Sequence, residues 1–206
     1  QEGYLGFVVK GGGEERDPDN YDADLGLAQF GQNPLMRKYH QAYRYRSYGE
    51  LLANVAVADL PVSLGMSVFY GDDSYMQSDL GLISGLDRRY GVDVNWTVSE
   101  KITTYLTLGR EKIDSKTRGS SVFGQPDWRG NVQDDYETYG AGVTARFNDK
   151  LRVGLDYTYA DGKQRQSIVG AGAGNFPPVE SELSSFKADL TYTLNPRADI
   201  VATWWY

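Results

Sequence analysis

Among the 206 residues, a side chain able to take and give a proton near neutral pH occurs once as histidine, at His40, beside Arg37, Lys38 and Tyr39. A catalytic imidazole needs a nucleophile or substrate proton within reach and a third group to orient it. No second histidine, no cysteine and no serine-nucleophile signature accompanies His40, so it reads as a solvated loop residue. The acidic run Asp17-Pro18-Asp19-Asn20-Tyr21-Asp22-Ala23-Asp24 could offer carboxylates to calcium. It places Tyr21 where a calcium loop needs Asp or Asn, and lacks the following glycine, so it reads as an acidic loop. Asp72, Asp73 and Asp79 make a weaker case of the same kind. Gly170-Ala171-Gly172-Ala173-Gly174 has neither the strand-to-helix setting nor the terminal Lys-Ser/Thr of a phosphate loop and is read as loop glycine. With no cysteine, the chain carries no covalent c-type haem site and no cysteine-ligated cluster. No catalytic, cofactor-binding or metal site is therefore expected, and no enzyme.

More informative are polar groups that interrupt otherwise apolar segments: Asp93, Asn95, Arg152, Asp156, Lys187 and Asp189. Each falls between apolar neighbours at alternate positions. In a strand, alternate side chains point to opposite faces, so these six share a polar face while the apolar residues share the other. Two readings of that face remain open: a wet interior with pairs such as Arg152 to Asp93 or Asp156, or a polar sleeve contacting an inserted partner.

The elements that set these faces are regular. Val62, Leu64, Met66, Val68 and Tyr70 alternate with Ser63, Gly65, Ser67, Phe69 and Gly71. Tyr90, Val92, Val94, Trp96 and Val98 repeat the scheme against Arg89, Gly91, Asp93, Asn95 and Thr97. So do Leu151 to Tyr159 against Arg152 to Ala160, and Phe186 to Leu194 against Ser185 to Thr193. In all, nine strands are expected, over about 3–9, 47–57, 62–71, 89–98, 102–112, 138–147, 151–160, 185–194 and 198–206. Ala58-Asp59-Leu60-Pro61, Ser99-Glu100-Lys101, Asn148-Asp149-Lys150 and Asn195-Pro196-Arg197 make tight turns at every second junction. Long polar junctions, roughly 10–46, 72–88, 113–137 and 161–184, alternate with them.

Short turns at one end and long loops at the other are the two ends of an outer-membrane β-barrel, whose tilted strands of about 9–11 residues cross the bilayer core. Aromatics gather at both ends, Tyr70, Tyr90, Tyr157, Tyr159 and Tyr206 toward the long loops and Trp96, Phe147 and Tyr192 toward the short turns, as two interfacial girdles would require. The negative mean hydropathy does not conflict with this, since only every second residue meets lipid. Sixteen Tyr, four Trp and seven Phe beside 24 Gly favour strands and loops over helices. A net charge of −7 argues against a nucleic-acid partner and leaves outer-membrane lipid as the expected surroundings. Gln1-Glu2-Gly3 shows no basic segment or apolar signal core, so any export signal is expected upstream or already removed. The fold class is thus all-β, an antiparallel up-and-down transmembrane barrel. An odd count of nine, ending inside an apparent strand at Thr203-Trp204-Trp205-Tyr206, predicts part of a larger barrel with strands missing at both ends.

From about residue 40 onward the strands resemble those of the MtrB/PioB family. The likeness is carried by Thr107-Leu108-Gly109-Arg110-Glu111-Lys112-Ile113-Asp114-Ser115, by Leu155-Asp156-Tyr157-Thr158-Tyr159-Ala160-Asp161, and by Phe176-Pro177-Pro178-Val179-Glu180 leading into Leu183-Ser184-Ser185-Phe186-Lys187-Ala188-Asp189-Leu190. The closing Ala202-Thr203-Trp204-Trp205-Tyr206 adds to it. The resemblance implies a C-terminal portion of a bacterial outer-membrane barrel that sheathes a periplasmic multihaem c-type cytochrome, with an extracellular cytochrome as a further partner. Haem would belong to the partner, with none in this chain, and Asp93, Asn95, Arg152, Asp156, Lys187 and Asp189 would be its lumen-facing contacts. A porin-like channel for small solutes is the other function to be weighed. An N-terminal Cys pair of some family members has no counterpart here.

Overall fold

The short turns show most directly how local chemistry sets the topology. Asn195 Oδ1 accepts the Arg197 N–H at 2.9 Å, and Asn148 Oδ1 accepts those of Lys150 and Leu151, both at 2.9 Å. An Asx side chain that mimics the backbone reverses the chain within two or three residues. At the third turn Ser99 Oγ accepts the Lys101 N–H at 3.3 Å, and Asp59 performs the fourth reversal by adopting a positive φ of 59°, a conformation that aspartate tolerates better than most residues. The computed structural model describes residues 3–18, 31, 33–38, 42–76, 79–171 and 173–206. His40 and Asp19 to Asp24 lie outside them, as does Gly172.

The turns connect β1 (Tyr4–Arg16), β3 (Tyr43–Ala56), β4 (Val62–Met76), β5 (Leu80–Ser99), β6 (Ile102–Gly119), β7 (Trp128–Arg146), β8 (Leu151–Gly170), β10 (Val179–Asn195) and β11 (Ala198–Trp205). These nine pair in chain order, each antiparallel to the next. Two short pieces join the sheet from the loops: β2 (Met36–Arg37), parallel to β5, and β9 (Gly174–Asn175) against β8. Among the described residues β1 and β11 each have one strand neighbour, so the sheet is an open arc.

Strands reach 20 residues, well beyond the segments that alternation marks. Most of what reads as loop in 72–88, 113–137 and 161–184 continues the ladder; of these stretches the described residues outside strands are 79, 120–127, 171, 173 and 176–178. The cause is physical: past the bilayer both faces of a strand meet water, so polarity no longer alternates although the hydrogen bonds do.

The apolar face is the more exposed one, with Met66 at 44%, Tyr90 at 47% and Leu155 at 40% of full accessibility, whereas Asp73 and Asp87 on the opposite face are buried. A curled sheet covers its concave side in this way, placing the apolar residues outward. The outward run on each central strand covers about nine residues, roughly 30 Å along the strand and ~23 Å across the membrane at a ~40° tilt. Tilt is visible in the register: Phe7, Ala53, Met66, Val92 and Leu108 share one row, but in that row β10 contributes Ser184. The β10 apolar run begins only at Phe186. Aromatic contacts brace the outer face, Tyr139 with Tyr159 at 6.3 Å and Phe186 with Trp204 at 5.7 Å between ring centroids.

Candidate functional site

On the inner face the backbone register decides which side chains can meet. One row crosses the sheet as Ser63, Asn95, Tyr105, Gly142, Asp156, Lys187 and Trp205. Because Gly142 has no side chain, Tyr105 on β6 reaches over β7 and donates its hydroxyl to Asp156 Oδ1 on β8 at 2.7 Å. A Cβ at Gly142 would stand 2.6 Å from that oxygen and closer still to the tyrosine ring. In the next row Asp93 accepts the Thr107 hydroxyl at 2.9 Å. Lys187 Nζ pairs with Asp189 Oδ2 at 2.7 Å, and Thr203 also donates to Asp189 at 2.7 Å.

Four of the six residues singled out by sequence come together. Arg152, Asp156, Lys187 and Asp189 line a hollow of about 380 Å³ with Thr144, Thr191 and Val201. Asp93 and Asn95 lie apart on β5, with β6 and β7 between. The expected pairing of Arg152 with Asp93 or Asp156 is not formed. Both carboxylates are held by tyrosine or threonine hydroxyls from β6, and Arg152 stands directly opposite Arg146 on β7. Sequence reasoning missed Tyr105 and Arg146. Both lie at polar-face positions of their strands, but only the register reveals what each one faces.

Between the charged levels the inner wall is low in relief. Gly65, Ser67, Gly91, Gly109, Gly140, Thr138 and Thr158 occupy the middle rows. Above them, toward the long loops, charges return in pairs: Lys10 with Glu50 at 2.8 Å, and Arg89 with Glu111 at 2.8 Å and Asp87 at 2.5 Å, its guanidinium 5.1 Å above the Phe69 ring. Arg46 grips Asp73 through two bonds of 2.8 and 2.6 Å, and Arg44 lies 3.7 Å from the same carboxylate. Asp73 is thus committed to arginines.

The outer face above the apolar band carries its own ladder. Arg88 pairs with Asp114, Arg110 with Asp135 at 2.7 Å and Glu137 at 3.4 Å, and Lys163 with Glu180. The Arg110 hydrogen bond holds the Asp135 carboxyl below its usual 3.8, and the Lys163 hydrogen bond holds Glu180 below 4.5. Carboxylates depressed in the folded state add stability that is present above their ordinary pKa and lost as pH falls through the lowered one. Exposed pairs contribute little each, so the loss should be local. Lowering the pH from about 7 through the depressed carboxylate range should reduce amide protection factors, taken relative to the intrinsic exchange rate at each pH, in the strand extensions while the membrane band stays protected. Uniform exchange along the strands, followed by mass spectrometry, would contradict that division.

Comparison with known proteins matches this architecture. The family model described as outer membrane beta-barrel porin, MtrB/PioB, matches residues 4–206. Outer membrane protein MtrB of Shewanella baltica (strain OS185) is 29% identical over 180 residues, covering 84% of this chain and 26% of that protein. The chain therefore spans about a quarter of that relative's length. Among solved structures, the siderophore receptor PiuA from Acinetobacter baumannii superposes with a TM-score of 0.52 at 10% identity, over 98% of this chain and 39% of the receptor. The TodX monoaromatic hydrocarbon channel gives a TM-score of 0.38 at 13% identity, over 81% of this chain and 56% of that one. At such identities the receptor likeness speaks to fold alone. The matching family is one of porin-type barrels rather than enzymes. With lipid-facing strands and a polar inner wall, this chain belongs to the MtrB/PioB family of outer-membrane β-barrel proteins.

Proposed function

We propose that the chain forms part of a barrel wall that encloses and insulates a periplasmic multihaem cytochrome, letting electrons cross the outer membrane. The observation that carries this reading is the inner wall at membrane level, where small residues alternate with charges already bonded inside the wall: Asp93 to Thr107, Asp156 to Tyr105, Lys187 to Asp189. A surface of that kind admits a folded protein closely and offers few unsatisfied groups to a passing solute. Family membership and the match to an MtrB protein support it. The wall's role is passive, supplying shape, polarity and insulation, while haem and its redox chemistry belong to the partner. An extracellular cytochrome docking at the long-loop end is part of the same reading.

A porin-like channel is the second reading, favoured by the description of the family as a porin. Purifying the full-length protein from outer membranes and recording its absorbance spectrum separates the two. Copurifying multihaem protein is the expected result; a haem-free preparation that conducts small ions would replace the sheath with the channel.

A further inference from the structure

We infer that Arg146 and Arg152 form an anion-binding clamp at the short-turn end of the inner wall, which holds a carboxylate of the protein inserted in the barrel. The inference rests on the sheath reading and adds a site to it. Arg146 closes β7 and Arg152 follows the start of β8, and the two are cross-strand partners. Directly opposed strand residues bring their Cβ atoms to about 5 Å, and like charges there repel.

Elsewhere on the inner face such crowding is relieved within the wall. Arg44, which stands opposite Arg16, reaches Glu14 at 3.1 Å and Asp73 at 3.7 Å. Lys187, Arg89 and Lys10 each have a carboxylate at 2.8 Å or less. Among the described residues Arg146 and Arg152 have no ion pair and no side-chain hydrogen bond. Together they border a hollow of about 190 Å³ near the turns, where Asp149 and Asp199 also lie without coming within pairing distance. Arg152 additionally opens onto the larger hollow beside Lys187, whose partner is Asp189. Thr191 lies opposite Arg152 on β10 and Thr144 precedes Arg146 on the same face, so hydroxyl donors flank the pair.

Two guanidinium groups side by side, each a planar fork of donors, suit one carboxylate shared between them. Charge complementarity selects the occupant: an Asp or Glu side chain projecting from the enclosed protein near its periplasmic entry. That contact would fix the partner's depth and rotation where the middle of the wall offers small residues and already bonded carboxylates.

The test uses the full-length barrel isolated from outer membranes with whatever haem protein it retains, washed at low and at high salt. Replacing both residues, Arg146→Gln with Arg152→Gln, should lower retained haem absorbance per barrel about tenfold and flatten its salt dependence, as loss of a charge-assisted bond predicts. Arg146→Lys with Arg152→Lys should keep most of the salt dependence. Heat-modifiable migration on gels reads barrel assembly separately, and a variant that fails it is replaced by the single Arg152→Gln. Unchanged haem retention and salt dependence in an assembled Gln variant overturns the clamp and leaves the sheath standing. A wild-type barrel that retains no haem overturns the sheath; if the Gln variant then shows lower anion selectivity in planar bilayers, the occupant is a small anion and the partner assignment is overturned too.

Discussion

Replacing Leu155 with arginine should destabilise the full-length barrel in lipid vesicles by about 2–4 kcal/mol, or stop its assembly, whereas Thr158→Arg should cost roughly 0–1 kcal/mol. The two positions sit on the same strand, three residues apart, and face opposite media. Leu155 lies in an outward row with Trp96, Val143 and Ala188, near the centre of the apolar run on β8. An arginine there must leave water for hydrocarbon or drag its head group to an interface. Thr158 lies in the inward row with Asp93 and Thr107, where a guanidinium meets polar groups. Val94→Arg against Asn95→Arg repeats the contrast on β5. Urea titration in vesicles, with heat-modifiable migration as the readout of assembly, measures both. Equal losses at Leu155 and Thr158 would overturn the assignment of Leu155 to lipid and Thr158 to the interior, and a larger loss at Thr158 would reverse it.

The second large effect is expected at Gly142. Alanine there collides with the Tyr105 ring and the Asp156 carboxylate, so the tyrosine must swing away and its hydrogen bond is lost. A hydrogen bond to a carboxylate contributes about 1.5–3 kcal/mol, and removing a strand glycine returns about 0.5–1, which leaves a net loss of about 1–2 kcal/mol. Gly140→Ala on the same strand is the control. Its added carbon would meet nothing nearer than 3.7 Å, so that variant should be neutral or slightly more stable. Tyr105→Phe removes the same bond, and combining it with Gly142→Ala should cost clearly less than the sum of the two. Additive losses would show that the glycine and the tyrosine act separately.

How far the sequence could be read follows from where the alternation has a cause. Within the membrane each strand has lipid on one side and a polar interior on the other, so Val94 and Asn95, or Leu155 and Asp156, announce their faces by chemistry alone. The turns were legible for a different reason, because Asn148 and Asn195 bond to their own backbone a few residues on. Beyond the bilayer both causes vanish. The stretches 72–76, 113–119 and 161–170 carry polar residues on both faces, and only the antiparallel ladder shows them to be strand.

At the candidate site the limit is register. Asp93, Asn95, Arg152, Asp156, Lys187 and Asp189 could be placed on the polar face one strand at a time, but not aligned with one another. That Asp156 faces a glycine beneath a tyrosine, and that Arg152 faces Arg146, depends on pairings between strands that no single segment encodes.

The continuation of the strands past the apolar band sets the length of the passage that a closed barrel of such strands would enclose. Twenty residues of β8, tilted at about 40°, rise roughly 50 Å, around twice the ~25 Å of its lipid-facing band. In the proposed closed wall, anything moving along the inner face would therefore stay screened from sideways exchange well after it had cleared the membrane. The mouth of such a barrel would stand off from the lipid surface by a distance comparable to the membrane itself, and it is there, rather than at the head groups, that an external molecule would first gain access.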